Sequence, residues 1–207
     1  MHSFLISNSF PPLIKEAWQW VASLDSREIL IVTPTMASAD DFVRSPEALN
    51  SKVASFQRKT LLRLAEEIAI PEMAERRVLP VTRLGVEALC NLTINNASRA
   101  DQLTYFSEVA DTPGMSRALA QTLRGLRLQE VDFSRLEGIG ESGKDLQRLG
   151  REYENCLEEN NLADSAMTYR FAIDRVQNKG IQGGTLPILF YHQRFNNLLE
   201  TRFAAAL

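Results

Sequence analysis

Apolar residues follow two different rhythms along this chain. At the N-terminus they come in short unbroken runs. Ser3-Phe4-Leu5-Ile6-Ser7 reads as a buried strand, and Asn8-Ser9-Phe10-Pro11-Pro12 breaks it. Two prolines fix φ and lack amide donors, which suits a turn into the first helical position. Ile14, Ala17, Trp18, Val21 and Leu24 then recur at helical spacing and predict a helix over 13–24. Trp18 and Trp20 stand two apart on it, so they do not both face one core, and one of them is expected to be exposed. Glu28-Ile29-Leu30-Ile31-Val32-Thr33 is continuous and β-branched, the pattern of a strand buried on both faces of a parallel sheet. Pro34-Thr35 ends it and a short helix over 37–44 follows. The first 45 residues thus read β-α-β-α, the start of an open α/β sheet.

From about Ser51 to Gln177 the rhythm is helical almost throughout. Val53, Phe56, Leu61, Leu64, Ala65 and Ile68 mark a helix ended by Pro71. Val86, Leu89 and Cys90 mark a second, capped by Thr82; Leu103, Phe106 and Val109 mark a third, stopped before Pro113-Gly114. Leu119, Leu123 and Leu126 mark a fourth, and Leu146, Leu149, Tyr153, Cys156 and Leu157 a fifth. Ala166, Tyr169, Ile173 and Val176 mark a sixth, with Asp164 or Ser165 as its cap. After the 180–184 loop the α/β signature returns: Leu186 to Tyr191 reads as a strand entered through Pro187, and Leu198, Leu199 and Phe203 mark a closing helix. The predicted fold class is α/β, a small parallel sheet interrupted by a large helical insertion. Residues 1–50 and 180–207 form an incomplete α/β core and 51–179 the helical subdomain.

Composition narrows the functions. A chain of 207 residues, 44% hydrophobic and 24% charged, can bury a core without staples. A formal net charge of −3 excludes coating of nucleic acid by bulk charge, though not a local basic groove. No run of about 18 apolar residues exists, so no membrane partner is expected, and the N-terminus lacks the build of a secretory signal. Cys90 and Cys156 make neither a disulfide framework nor a metal half-site, and two buried thiols fit a reducing cytoplasm. The only histidines, His2 and His192, lie near opposite ends. No metal ligand, cofactor or catalytic residue is expected. The closing Ala-Ala-Ala-Leu, without cap or polar tail, reads as a cut through a longer protein.

Gly138-Ile139-Gly140-Glu141-Ser142-Gly143-Lys144-Asp145 fits seven positions of the phosphate-binding pattern G-x-x-x-x-G-K. In that loop backbone amides and the lysine wrap phosphates, and the next hydroxyl binds magnesium. Here Asp145 replaces the hydroxyl, Glu141 adds a second negative charge, and the polar segment 130–136 is no buried strand. The late strand also ends Phe190-Tyr191-His192-Gln193, without the acidic magnesium partner of such ATPases. A nucleotide hydrolase built on 138–145 is therefore only an alternative. A helical protein-binding adaptor is another.

The order βαβα, long helical insertion, next strand resembles the first domains of UvrD-like helicases. More closely, the chain resembles the N-terminal part of AddB-type helicase–nuclease subunits and the related probable DNA repair proteins of the PD-(D/E)XK nuclease superfamily. The residues that carry this are Ile29 to Thr35, Ala39-Asp40-Asp41-Phe42, Val81 to Gly85, Pro113 to Leu119 running into Leu123-Arg124-Gly125-Leu126-Arg127, Tyr153 to Leu157, Leu162-Ala163-Asp164, and Arg194 to Glu200. The resemblance implies a degenerate P-loop-like helicase domain of a DNA exonuclease or helicase, with the nuclease in a C-terminal domain that this chain lacks. Where helicases carry the P-loop, Ser7-Asn8-Ser9-Phe10-Pro11-Pro12 has neither glycines nor lysine. The expectation is a helicase fold without ATP hydrolysis and with no activity of its own. It would hold DNA, single-stranded or at a duplex end, or dock on the rest of its parent chain or on a helicase subunit.

Charge is polarised along the helical block. Ser51 to Leu84 carries seven positive against four negative residues, Met115 to Arg135 four against two, and Glu137 to Asp164 three against eight. If the two basic stretches share a face, a DNA strand lies along it. The candidate contacts are Arg58 and Lys59 on the first stretch and Arg124 and Arg127 on the second. Thr35 matches the helicase position that can touch a DNA phosphate, and it is equally placed to be a helix cap.

Overall fold

The computed structural model describes residues 10–50, 53–180 and 186–207. In chain order they form α1 (Phe10–Ser23), β1 (Glu28–Val32), α2 (Met36–Val43), β2 (Ser55–Lys59), α3 (Leu61–Glu75), β3 (Leu79–Pro80), α4 (Arg83–Arg99), α5 (Met115–Leu128), α6 (Glu141–Glu159), β4 (Leu162–Ala163), α7 (Ser165–Lys179), β5 (Ile188–Phe190) and α8 (Leu198–Ala206). Short 3-10 segments add Pro46–Asn50, Ser107–Val109 and Phe133–Ile139. The fold is α/β, mostly helical, with a small parallel sheet. It divides into two compact units, Met1–Leu64 with Ile181–Arg194, and Ala65–Gly180 with Phe195–Leu207. The expected boundary at residue 50 falls before β2, which belongs with the sheet, and α8 belongs with the helical unit. The expected first strand, Ser3 to Ser7, lies outside the described residues.

The first unit is organised by β1. It is the middle strand of the order β2-β1-β5, parallel to both neighbours. Its ladder runs from Glu28 opposite Ser55 to Val32 opposite Lys59, and from Leu30 opposite Ile188 to Val32 opposite Phe190. Ile29, Ile31 and Val32 are fully buried, as a central strand of β-branched residues requires. Side chains alternate along a strand, so Ile29 and Ile31 share one face. There they meet Trp18 and Val21 of α1, Phe42 of α2, and Tyr191. Trp18 stacks on Phe42 with ring centroids 4.5 Å apart, and its Nε1 donates to Ser45 Oγ at 2.8 Å. That satisfies the one polar atom of a buried indole. Trp20 is partly buried at the rim of the same cluster, so neither tryptophan is the exposed contact expected from their spacing.

β2 corrects the helical reading of Val53 and Phe56. These two belong to a strand and its approach, and the helix begins at Leu61. Nor does Pro71 end that helix, which runs on to Glu75. The missing amide costs one intrahelical bond, but the buried Met73 and the ion pair from Arg76 to Glu72 hold the last turn.

In the second unit α4, α5 and α6 pack through Cys90, Ile94, Leu119, Leu123, Leu149, Tyr153 and Leu157. Thr82 caps α4, Asp164 caps α7 and Asn197 caps α8, each accepting from a backbone amide of the first turn. The expected helix over Leu103, Phe106 and Val109 is a loop with one 3-10 turn. α6 and the 3-10 segment before it fit closely. A Cβ on Gly143 would stand 1.9 Å from the carbonyl oxygen of Leu136, and one on Gly150 would stand 2.9 Å from the Phe133 ring. Both glycines are there to let backbone and ring approach the helix.

Candidate functional site

All strands of a parallel sheet end on the same edge, the edge where open α/β sheets bind their ligands. Here β1 ends at Val32 beside Lys59 of β2 and Phe190 of β5. The chain leaves β1 through Thr33, Pro34 and Thr35 into α2, and leaves β2 through Thr60 into α3. Thr33 is buried and its Oγ1 donates to the Thr35 carbonyl at 2.7 Å. Thr35 Oγ1 accepts from the Ser38 amide at 3.2 Å and shares a hydrogen bond with Ser38 Oγ at 2.9 Å. Thr60 Oγ1 accepts from the Arg63 amide at 3.3 Å. Two helices therefore start on one edge behind hydroxyl caps. Arg58 reaches across to the Asp40 carboxylate of α2, with about two-fifths of its side chain still exposed. On the third strand, Tyr191 is buried and its hydroxyl has no hydrogen-bond partner among the described residues. His192 beside it has φ +55° and is exposed.

This end of the sheet thus carries the Thr33 and Thr35 hydroxyls and two cations that alternate along β2, Arg58 bound to Asp40 on one face and Lys59 on the other. Among the described residues no cluster of three or more His, Cys, Asp or Glu side chains is placed to hold a metal ion. Ser7 to Ser9, at the helicase phosphate-loop position, fall outside the described residues.

Of the five expected contacts, Thr35, Arg58 and Lys59 come together on this edge, while Arg124 and Arg127 belong to the helical unit. Thr35 is the N-cap of α2, the second of the two roles its sequence position allowed. Arg124 is exposed on α5. Arg127 is not an exposed contact, and this corrects the expectation. It is only 4% exposed and donates through Nε to Asp164 Oδ2 at 2.7 Å, through Nη2 to Asp164 Oδ1, and through Nη1 to Glu154. Burial opposes its charge, but Asp164 first and then Glu154 outweigh it and hold the guanidinium above its ordinary pKa. Asp164 also caps α7 through the Met167 amide at 3.0 Å. A buried Arg127–Asp164 pair therefore joins α5 to the start of α7, and the half-exposed Glu154 ties α6 to the same guanidinium.

The 138–145 segment forms no loop around a phosphate. Gly140, at φ +94°, turns the 3-10 segment into α6, and Lys144 lies in the first turn of that helix, bound to Glu141 at 2.8 Å. Asp145, at the position where a P-loop has its magnesium hydroxyl, is 1% exposed. Its carboxylate accepts from the backbone amides of Thr104 at 3.0 Å, Tyr105 at 2.8 Å and Phe106 at 3.0 Å. Arg148, nearly one turn on, donates to the Gln102 carbonyl. The residue that spoils the phosphate motif thus clamps a loop some forty positions upstream, a role no local pattern announces.

Cys90 and Cys156 are free, buried thiols. Desolvation, with smaller pushes from Glu87, Asp164 and Cys156, raises Cys90 to about 12. It is no nucleophile near neutral pH. No family model and no curated protein matches this sequence.

Proposed function

We infer that this chain is a catalytically silent, helicase-like N-terminal segment of a DNA repair or recombination nuclease. It holds DNA, or docks on the rest of its parent chain or on a helicase subunit, so that a separate nuclease domain can act. The observation that carries this reading is the wiring of the sheet. Two parallel strands, a helical block, and a third strand returning beside the first give the order β2-β1-β5. The C-terminal edge of that sheet gathers Thr35, Arg58 and Lys59, while the G-x-x-x-x-G-K match elsewhere is helix. That layout, with no phosphate loop at Lys144, agrees with the resemblance in the sequence to AddB-type subunits.

The test is an anisotropy titration of the full chain with labelled oligothymidylate and with a blunt duplex. Binding should weaken as salt rises, and Arg58→Glu with Lys59→Glu should lower affinity about tenfold or more and flatten the salt slope. Arg127→Glu is unsuitable as a probe, because it would set a buried carboxylate against Asp164 and Glu154. If no salt-dependent DNA binding occurs, or the Arg58 and Lys59 double variant binds unchanged, the DNA-holding role fails. A helical adaptor is then favoured by two exposed leucines, Leu79 of β3 and Leu84 in the first turn of α4.

A further inference from the structure

Of the helices α4 to α7, three turn charge towards solvent: Arg124 on α5, Arg151 on α6 and Asp174 on α7 are exposed. α4 differs. Its buried side is Cys90, Thr93, Ile94 and Ala97. A helix turns about 100° per residue, so Leu84, Ala88 and Leu92, at i, i+4 and i+8, run down the opposite side. Leu84 is 77% exposed and Leu92 47%. Asn91 and Asn95 lie along the same side and are tied together, Asn95 Nδ2 donating to Asn91 Oδ1 at 2.8 Å. From Leu84 to Ser98 the one charged residue is Glu87, which stands at the flank of this face and pairs with Arg83 at 3.3 Å. A single exposed leucine calls for no explanation, but an apolar row at helical spacing with no charge along it has the build of a contact face.

The composition of the face indicates its occupant. In a two-fold contact the same surface meets itself, so a charge near the axis stands against its own like. The middle of this face carries none, and Arg99 comes only at its far end. Its polar groups are carboxamides, which both donate and accept and so can pair with their own kind. Its apolar groups run large, small, large. When two copies of α4 lie antiparallel about an axis between Ala88 and Leu92, Leu92 of each copy comes over Ala88 of the other, and Leu84 of each comes beside Asn95 of the other. The small Ala88 makes room for the leucine, and the antiparallel sense opposes the two helix dipoles.

We propose that this chain associates with a second copy of itself through the outward face of α4, antiparallel across a two-fold axis between Ala88 and Leu92. The inference stands apart from the DNA-holding reading and survives its failure. One helix pair buries less than the roughly 1,200 Å² of a standard interface, so the dimer forms as concentration rises and is not permanent. The test is sedimentation equilibrium of the full chain up to about 0.5 mM, a range that reaches weak association. The mass should climb towards twice that of one chain. Leu92→Glu, which sets a carboxylate over Ala88 of the other copy, should weaken association about tenfold or more. Ile70→Glu, at a 60% exposed position on α3, should leave it unchanged. Leu92 and Ile70 both face solvent, and unchanged melting curves confirm that each variant is folded. Ala88→Cys mixed with Leu92→Cys should cross-link under a mild oxidant more readily than either variant alone, because the axis sets these positions opposite each other. The native Cys90 and Cys156 are buried and take no part. A monomer at every concentration overturns the proposal and leaves the face to a different partner. A dimer that Leu92→Glu leaves intact, or that Ile70→Glu weakens as much, overturns it too, and cross-linking no better in the mixture overturns the antiparallel axis.

Discussion

Arg127 shows how one side chain changes meaning once its surroundings are known. By composition it counts towards a basic surface. By position it continues the apolar row Leu119, Leu123, one turn further along α5, and that row was the available sign that it points inward. Its partner Asp164 lies 37 positions away, so no local pattern joins the two. Removing the guanidinium strands a carboxylate that is 6% exposed, a loss of about 3–5 kcal/mol for a buried pair broken from one side. Arg127→Met should therefore lower the urea midpoint sharply, while Arg124→Ala, on the exposed face of the same helix, should stay within about 0.5 kcal/mol of the parent. Asp145 repeats the lesson. Asp145→Ala leaves three buried-side amides without their acceptor, and exchange of the Thr104, Tyr105 and Phe106 amides should speed up before any global loss of structure is seen.

At the scale of elements, the long periodic segments were legible and the short ones were not. α4 to α7 follow stripes that repeat over three or more turns, and their caps Thr82 and Asp164 carry side chains suited to that place. β2 was missed because Gln57, Arg58 and Lys59 have weak strand preference; what makes them a strand is the ladder to β1. Leu103, Phe106 and Val109 keep helical spacing, yet the segment is a loop because Asp145 supplies the hydrogen bonds that a helix would otherwise have to supply. Of the candidate site, the residues at 35, 58 and 59 were legible, but the parallel ladder that puts them at one end of the sheet was not. Two glycines test the packing of these helices. Gly143→Ala forces a methyl into the Leu136 carbonyl and should cost about 1–3 kcal/mol. Gly125→Ala, in open space within α5, should gain about 0.5–1 kcal/mol. Chemical denaturation of both variants reads the contrast in sign.

For the whole molecule, the helical core is set against alkali. Burial raises Cys90 from 9.0 to about 12, and it raises Tyr153 and Tyr169 above their ordinary 10.0 as well. For a group whose folded pKa lies above its unfolded one, the stabilisation is whole below the unfolded value and fades as the pH climbs towards the folded value. Stability should hold up to about pH 9 and then fall, first through the thiol and next through the phenols. In Cys90→Ala the earliest part of that fall should shrink in urea midpoints measured across the alkaline range, leaving what Cys156, also raised by burial, contributes. The Cys90 thiol of the parent should stay inert to thiol reagents at neutral pH until the chain unfolds.

The placing of β1 between two strands so far apart in the chain has a consequence for how the protein is made. Its Leu30 amide is satisfied by Pro187, and its Val32 carbonyl by Tyr191. A ribosome that has just released Lys59 has delivered only one of those two neighbours, and the other follows after every residue of α4 to α7. Until then a hydrophobic ribbon, Ile29 to Val32, waits with one flank bare, the kind of flank on which nascent chains recruit each other. Shortened forms ending before Ile188 should accordingly collect in the insoluble fraction, however sound their helices.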